Sequence, residues 1–236
     1  MGTYEARHAV ADVETSPQRR LILRSSLATA AVATVGAAGL ATPASAATRR
    51  SLKFGSKGSD VKALQVKLRA CGYWHAGSDG LYGTTTEQAV MAVQKVYRLD
   101  RDGVVGPATW KVIDRLIRPG AKTKSGNVCE INLEKQTMMF VVGGKVKWVF
   151  NTSTGAAGWR TPKGRYTFFR QINGMRNAPL GQLWRPKYFN GGIAIHGAKS
   201  IPGYAASHGC ARLSNAAINY VWSANLAPIG SKVWVY

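Results

Sequence analysis

The residues of this chain best suited to chemistry are one cysteine and two histidines near its C-terminus. They lie in the run SHGCAR at residues 207–212 and in His196-Gly197 a little upstream. A thiol attacks a carbonyl carbon as its thiolate, and a neighbouring imidazole can generate that thiolate near neutral pH. Glycine before Cys210 permits a tight turn that exposes the sulfur and directs backbone N–H groups toward an oxyanion. The pattern therefore indicates acyl transfer through a thioester.

Either histidine could accept the thiol proton. His196 follows the predicted strand 192–195, so a backbone carbonyl such as that of Gly197 could hold its second ring nitrogen. His208 lies two residues before the cysteine and would face the same side on an extended segment. No Asp or Glu follows Glu134, which excludes a carboxylate-oriented triad from this region. We favour His196 as the base and His208 as a loop-shaping residue, and the reverse assignment stays open.

Two alternatives use the same residues differently. His196, His208 and Cys210 could form a zinc site, but the missing acids remove the usual general base of a zinc hydrolase. The histidines could also be core residues beside a structural cysteine, which would not explain the many glycines around them. We predict no metal and no cofactor.

The segments that must position these residues are strands. From residue 127 onward Cys129, Ile131 and Leu133 alternate with polar residues, and the apolar runs 138–142 and 146–150 flank a Gly143-Gly144 hairpin turn. Further strands are predicted at 166–169, 193–195 and 233–236. A helix over 215–224 begins behind Ser214 as its N-cap. Residues 127–236 are therefore predicted to form a mainly β domain.

Residues 51–118 have a helical period and an internal repeat. The repeat Asp-Gly-x-x-Gly-x-x-Thr begins at Asp79 and again at Asp102, and each copy predicts a turn that leads into a helix. Thr84 and Glu87 suggest a capping box, and Pro107 suits a first helical turn. Three apolar faces with helical spacing predict a three-helix bundle. Residues 119–126 are predicted to be a short polar linker.

The first 46 residues are predicted to be a cleavable export signal. Arg19-Arg20 precedes an Ala-rich stretch and the A-x-A site at residues 44–46, and the long polar leader favours the twin-arginine route. The remainder carries 28 basic and 8 acidic residues. Since an exported chain meets few nucleic acids, cell-wall polymers are the expected polyanionic partner, with solubility alone as the alternative. No membrane span is expected after removal of the signal, and the oligomeric state is not predicted.

Three cysteines in an exported chain imply at least one unpaired thiol. Cys71 and Cys129 could form a disulfide, which would leave Cys210 free. They could equally be buried reduced thiols, because each continues an apolar pattern.

Two resemblances follow from these motifs. The doubled Asp-Gly-x-x-Gly-x-x-Thr with the helix around Ala89-Val90 and Gln94 resembles the peptidoglycan-binding domains of the PG-binding-1 type. His196-Gly197 and SHGCAR, with Ser153-Thr154-Gly155 and Thr161-Pro162-x-Gly164, resemble the L,D-transpeptidase catalytic domain of the YkuD type over residues 127–236. Together they imply two domains, a small all-α bundle followed by a mainly β sandwich with the cysteine at the mouth of a cleft.

The second resemblance also implies a substrate and roles for residues. The substrate would be a peptidoglycan stem tetrapeptide, whose third residue is attacked by Cys210 while His196 moves the proton. Ser207, His208 and Gly209 complete the catalytic motif, and the N–H groups of Gly209 and Cys210 would form the oxyanion hole. Candidates for substrate binding are Arg212, Gly197 and Tyr188. Arg212 would organise the loop or meet a substrate carboxylate. Water as acceptor would make the enzyme a carboxypeptidase, and a non-catalytic wall-binding protein is the remaining alternative.

Overall fold

Three helices precede the strands in the computed structural model, which describes residues 49–236. The predicted export signal at residues 1–46 lies outside that range. The helices are α1 (Ser59–Ala70), α2 (Thr84–Val96) and α3 (Pro107–Asp114). Their apolar faces are buried as the helical spacing predicted, with Val61 and Leu68 fully inaccessible to solvent.

The internal repeat is explained by two buried glutamines. The Gln65 side-chain amide donates to Asp79 Oδ1, Leu81 O and Thr86 Oγ1, each at 3.0 Å, and its oxygen accepts from Gly80 N.

Gln94 repeats this pattern with Asp102, Val104, Thr109 and Gly103. Each copy of the motif is thus a turn that closes around a glutamine from a preceding helix.

The predicted capping box of α2 is wrong. The helix begins at Thr84 behind Gly83, and no side chain caps its first turn. Glu87 instead lies so close to Gly103 that a Cβ at that glycine would meet Glu87 Cγ at 2.7 Å. The N-cap of the last helix, α4 (Asn215–Ser223), is as predicted, since Ser214 Oγ accepts from Ala217 N at 3.2 Å.

The rest of the chain forms two sheets. The first has the order β3-β2-β1-β10-β4, and in the second β5-β7-β8-β9 are neighbours while β6 pairs with β7. The strands are β1 (Val128–Asn132), β2 (Thr137–Val142), β3 (Lys145–Asn151), β4 (Gly164–Thr167), β5 (Arg170–Gln171), β6 (Met175–Ala178), β7 (Gly181–Asn190), β8 (Ile193–Ala198), β9 (Ala211–Ser214) and β10 (Lys232–Val235). Four of these strands were not predicted from the sequence: β5, β6, the long strand β7 and β9.

One core lies between the sheets and contains α4. Ile131 and Phe140 of the first sheet share it with Ile195 and Leu213 of the second and with Ile218 of α4. The predicted fold class, a helical bundle followed by a mainly β sandwich-like domain, is therefore confirmed.

The helical bundle packs on the outer face of the first sheet. Met139 and Val141 of β2, with Val146 and Val149 of β3, belong to the core of the bundle, whereas Met138 and Phe140 point into the sandwich. Strand β2 is thus buried on both faces, which explains its continuous apolar run. Residues 49–236 accordingly form one compact unit.

The two cysteines outside the SHGCAR run are reduced and buried. Cys71 lies in the bundle core, where its Sγ donates to Leu116 O at 3.1 Å, and Cys129 lies in the sandwich core. The first sheet separates the two cores, so the alternative of a disulfide between these cysteines is wrong. No helix within residues 49–236 is long and apolar enough to cross a membrane.

Candidate active site

A cleft of about 490 Å³ collects most of the predicted site residues. The parallel pairing of β8 with β9 aligns His196 with Arg212 and brings the turn at Cys210 to the N-terminal end of β8. The hairpin formed by β6 and β7 provides another part of the wall. The predicted site residues in its lining are Cys210, His196, His208, Ser207, Arg212 and Tyr188.

His196 is buried and held in one tautomer. Its Nδ1 lies 2.9 Å from Gly197 O, and because a carbonyl only accepts, this nitrogen carries the proton. Nε2 is then the nitrogen that can accept a proton, and the Gly197 carbonyl holds the other ring nitrogen as expected from the sequence. Burial lowers the pKa of His196 to about 4, with the Arg212 charge adding to the effect, so the ring is neutral at pH 7.

The environment of Cys210 favours the neutral thiol. Burial raises the pKa of Cys210, while the N–H of Ala194, which donates to Sγ at 3.4 Å, and the Arg212 charge oppose that rise. From the sequence, the imidazole was expected to ionise the thiol. A neutral thiol beside a neutral imidazole instead requires the proton to move during attack on the substrate.

The hydrogen bonds of these two side chains go to backbone groups. Within residues 49–236 no hydrogen bond joins Cys210 Sγ to His196. A hydrogen bond between a nucleophile and its base often forms only when substrate is bound.

The turn before Cys210 is built around Ser207. Gly209 has a φ of +112°, a value that favours glycine. Ser207 Oγ accepts from Gly209 N at 3.1 Å and donates to Cys210 O at 2.5 Å. The Gly209 N–H was expected in the oxyanion hole, but the nearby hydroxyl engages it instead. Cys210 N–H donates to no carbonyl in the part of the chain described here and is the better oxyanion donor.

Thr161 supports this turn, a role that was not predicted from the sequence. Its buried Oγ1 accepts from Gly155 N at 3.0 Å and donates to Gly209 O at 2.7 Å. A Cβ on Gly155 would overlap the carbonyl of Trp159. The motifs at residues 153–155 and 161–164 indicated that these segments belong to the catalytic domain. Nothing in the sequence indicated which partner Thr161 would bind.

His208 lies at the rim of the cleft. It is exposed, and its ring packs edge-on against Trp159 with the centroids 5.0 Å apart. This position favours His196 as the base. Among residues 49–236, no three His, Cys, Asp or Glu side chains form a group that could hold a metal ion.

Gly197 belongs to the packing behind the cleft and does not line it. A side chain there would meet Asn215 Oδ1 at 2.6 Å and Ile218 Cγ2 at 2.7 Å, because α4 covers β8 at this point. Its carbonyl orients His196, so its contribution to substrate binding is indirect.

The cleft is basic. Arg212 exchanges backbone hydrogen bonds with Ser153, while its side chain lines the cleft together with Arg170 and Arg176. The Arg170 guanidinium lies 3.9 Å from the ring centroid of the buried Tyr188. The three ion pairs within residues 49–236 involve other arginines. The charge of the cleft therefore suits a ligand with carboxylates.

Comparison with known proteins agrees with both resemblances. Residues 126–235 match the family described as L,D-transpeptidase catalytic domain, and residues 57–113 match the family described as putative peptidoglycan binding domain. The crystal structure of the L,D-transpeptidase (residues 123–326) from Xylanimonas cellulosilytica is 43% identical, with a TM-score of 0.76. The match covers 80% of this chain and 98% of that chain.

Two curated relatives match over shorter stretches. The N-acetylmuramoyl-L-alanine amidase CwlL of Bacillus licheniformis is 45% identical over 82 residues, which are 34% of this chain and 22% of the relative. The zinc D-Ala-D-Ala carboxypeptidase of Streptomyces albus G is 40% identical over 70 residues, 28% of this chain and 27% of the relative. The chain thus spans about a quarter of the length of these relatives.

Proposed function

The chain belongs to the L,D-transpeptidase family, and we propose that it cross-links peptidoglycan through a thioester on Cys210. The observation that carries the proposal is that Cys210 and His196 line one basic cleft, with the His196 tautomer held by Gly197 O. This arrangement supplies a nucleophile and a proton acceptor without a carboxylate.

In the first half-reaction the donor is a stem tetrapeptide. Cys210 Sγ forms a bond to the carbonyl carbon of the third, diamino acid residue while its proton passes to His196 Nε2. The N–H of Cys210 stabilises the oxyanion. Collapse of the intermediate breaks the bond to the terminal D-Ala, whose amine takes the proton from His196.

In the second half-reaction the side-chain amine of a neighbouring stem attacks the thioester. His196 accepts the amine proton, the C–S bond breaks and Cys210 regains its proton, which yields a 3→3 cross-link. Arg212, Arg170 and Arg176 would attract the carboxylates of the stems. Water in place of the amine would give the carboxypeptidase reaction.

The proposal includes the location of the protein. Residues 1–46 would direct export and be removed, and the excess of basic residues after them would favour retention at an anionic cell wall. The helical bundle would bind peptidoglycan, which is supported by its match to the peptidoglycan-binding family.

Incubation of the protein with disaccharide-tetrapeptide, followed by mass analysis, tests the function. Cross-linked dimer and free D-Ala are expected from the wild type, and neither from Cys210→Ala. Cys71→Ala is the matched control, because it removes a buried thiol of the bundle core that does not line the cleft, and it should retain activity.

The products also separate the alternatives. Tripeptide without dimer would replace the transpeptidase with the carboxypeptidase. The absence of any product, together with no carbapenem adduct on Cys210 in folded protein, would leave a wall-binding protein with a structural cysteine.

A further inference from the structure

Lys95 of helix α2 is a buried cation that the proposed mechanism does not use. It is fully inaccessible to solvent, and its Nζ donates to Thr152 O at 2.8 Å, Gln136 O at 3.2 Å and Pro202 O at 3.4 Å. An ammonium has three N–H donors, and each is directed at a backbone carbonyl of the β domain. No carboxylate pairs with it among residues 49–236. A buried charge without a counter-ion is costly, which points to a specific role.

Pro202 lies in a segment, residues 199–206, that has no regular secondary structure and joins β8 to the turn at Cys210. Ser200 in this segment and Ser207 directly after it line the cleft. The segment therefore contributes to the wall of the site although it forms no strand.

Four consecutive carbonyls in this segment each accept a hydrogen bond from a side chain. The pairs are Asn151 Nδ2 to Ile201 O at 3.3 Å, Lys95 Nζ to Pro202 O at 3.4 Å, Arg101 Nη1 to Gly203 O at 2.9 Å and Ser153 Oγ to Tyr204 O at 2.7 Å. Two of the four donors, Lys95 and Arg101, come from the helical bundle. Side chains thus set the path of residues 201–204, whereas backbone pairing fixes only the end of the segment, where Ala206 N donates to Thr154 O at 2.9 Å.

Lys95 also reaches the strand side of the same wall. Thr152, whose carbonyl Lys95 binds, donates through its Oγ1 to Arg212 O at 2.8 Å. Two residues later Thr154 O accepts from Ser207 N at 3.0 Å. The Lys95 ammonium therefore links the bundle to two parts of the β domain. One is the segment 199–206, which precedes the turn carrying Cys210, and the other is residues 152–154, which are hydrogen-bonded to the chain on both sides of that turn.

We propose that Lys95 is a positioning residue through which the helical bundle holds residues 199–206 in the conformation that binds substrate. The bundle is then part of the active-site architecture and does more than attach the enzyme to the wall. This inference rests on the proposed transpeptidase function for its kinetic consequence, whereas the clamp itself is independent of it.

Burial of Lys95 makes the clamp sensitive to pH, and nearby charges add to this effect. Arg98 and Arg101 on the bundle side, and Glu134 and Lys135 on the side of the β domain, line the same crevice, and Glu134 pairs with Arg98. Burial lowers the pKa of Lys95 to about 7, with repulsion from Arg101 as the smaller cause. The neutral amine has two N–H groups and a lone pair for three carbonyls, so one hydrogen bond is lost as pH rises through this range.

The proposal is tested by measuring KM and kcat for disaccharide-tetrapeptide with the full-length protein, in which the helical bundle and the β domain are both present. Because Lys95→Met fills the space without a donor, it should raise KM about tenfold at pH 6 and change kcat less than about threefold. The wild-type KM should rise toward the variant value between pH 6 and 8.5, while the variant KM stays level. Lys111→Met, at an exposed position of α3, is the matched control and should behave as wild type.

Two further measurements distinguish the possible failures. Arg101→Ala changes an exposed residue, so this variant should fold. It should raise KM about threefold, because it loses the hydrogen bond to Gly203 O. It therefore tests the proposal even if Lys95→Met does not fold. Amide hydrogen exchange over residues 199–207 should be faster in Lys95→Met than in wild type, and this readout needs no activity. An unchanged KM in both variants, or unchanged exchange in a folded Lys95→Met, would overturn the proposal, whereas an inactive wild type would overturn only the proposed function.

Discussion

The pH dependence of Cys210 acylation should reveal the buried state of His196. An imidazole with its ordinary pKa of 6.5 would be about 90% protonated at pH 5.5, which would leave about a tenth of the acylation rate. With its pKa lowered to about 4, His196 is about 97% neutral at that pH. We therefore expect acylation to remain on its plateau at pH 5.5 and to fall to half only near pH 4.

The assay is the second-order rate of carbapenem adduct formation on Cys210, followed by mass between pH 4 and 8. His196→Gln should lower this rate at least about a hundredfold, because it removes the proton acceptor. His208→Gln should keep both the plateau and the position of the acid limb, since that ring lies exposed beside Trp159. A wild-type midpoint near pH 6.5, or an acid limb that moves in His208→Gln, would refute the assignment of His196 as a buried base.

Three other consequences can be measured. The folded-state pKa of His196, about 4, is below its unfolded value of 6.5, so stability is present above pH 6.5 and lost toward pH 4. Urea titration should show a loss of about 2.5 kcal/mol between pH 7.5 and 4.5 that is smaller in His196→Gln, and equal losses would contradict the sign. Thr161→Val removes the hydroxyl that holds Gly209 O, and it should slow carbapenem acylation at least about tenfold in protein that remains folded; an unchanged rate would exclude this supporting role. Gln94→Ala leaves four hydrogen-bonded groups without their partner and should lower the free energy of unfolding by about 3 kcal/mol, against less than about 0.5 kcal/mol for the exposed Lys111→Ala; similar losses in the two variants would argue against the glutamine network.

The parts of the site that were predictable are local in sequence. Gly197 follows His196 directly, so its carbonyl was a foreseeable partner for Nδ1, and the turn at Gly209 follows from the residue type. The helical faces were predictable for the same reason, because a regular backbone places residues three or four apart on one side. The Gly143-Gly144 hairpin likewise depends on two neighbouring residues, both at positive φ.

The parts that were missed depend on partners far away in the chain. Ser207 engages Gly209 N–H because the turn brings its hydroxyl back, and Thr161 reaches Gly209 across 48 residues. The apolar run 138–142 correctly predicted strand β2, but it did not reveal that the two faces of the strand belong to different cores.

The sequence by itself thus determined the candidate nucleophile, the favoured candidate base, the missing carboxylate and the two kinds of fold, because residue identity and short-range periodicity carry that information. Only the tertiary structure decided that the pKa of Cys210 is raised and that of His196 is lowered, since burial is the main cause of both shifts. It also decided that Lys95 binds carbonyls 41, 57 and 107 residues away. A lysine side chain shows no preference among backbone oxygens, so its partners are chosen by the packing of the bundle on the sheet.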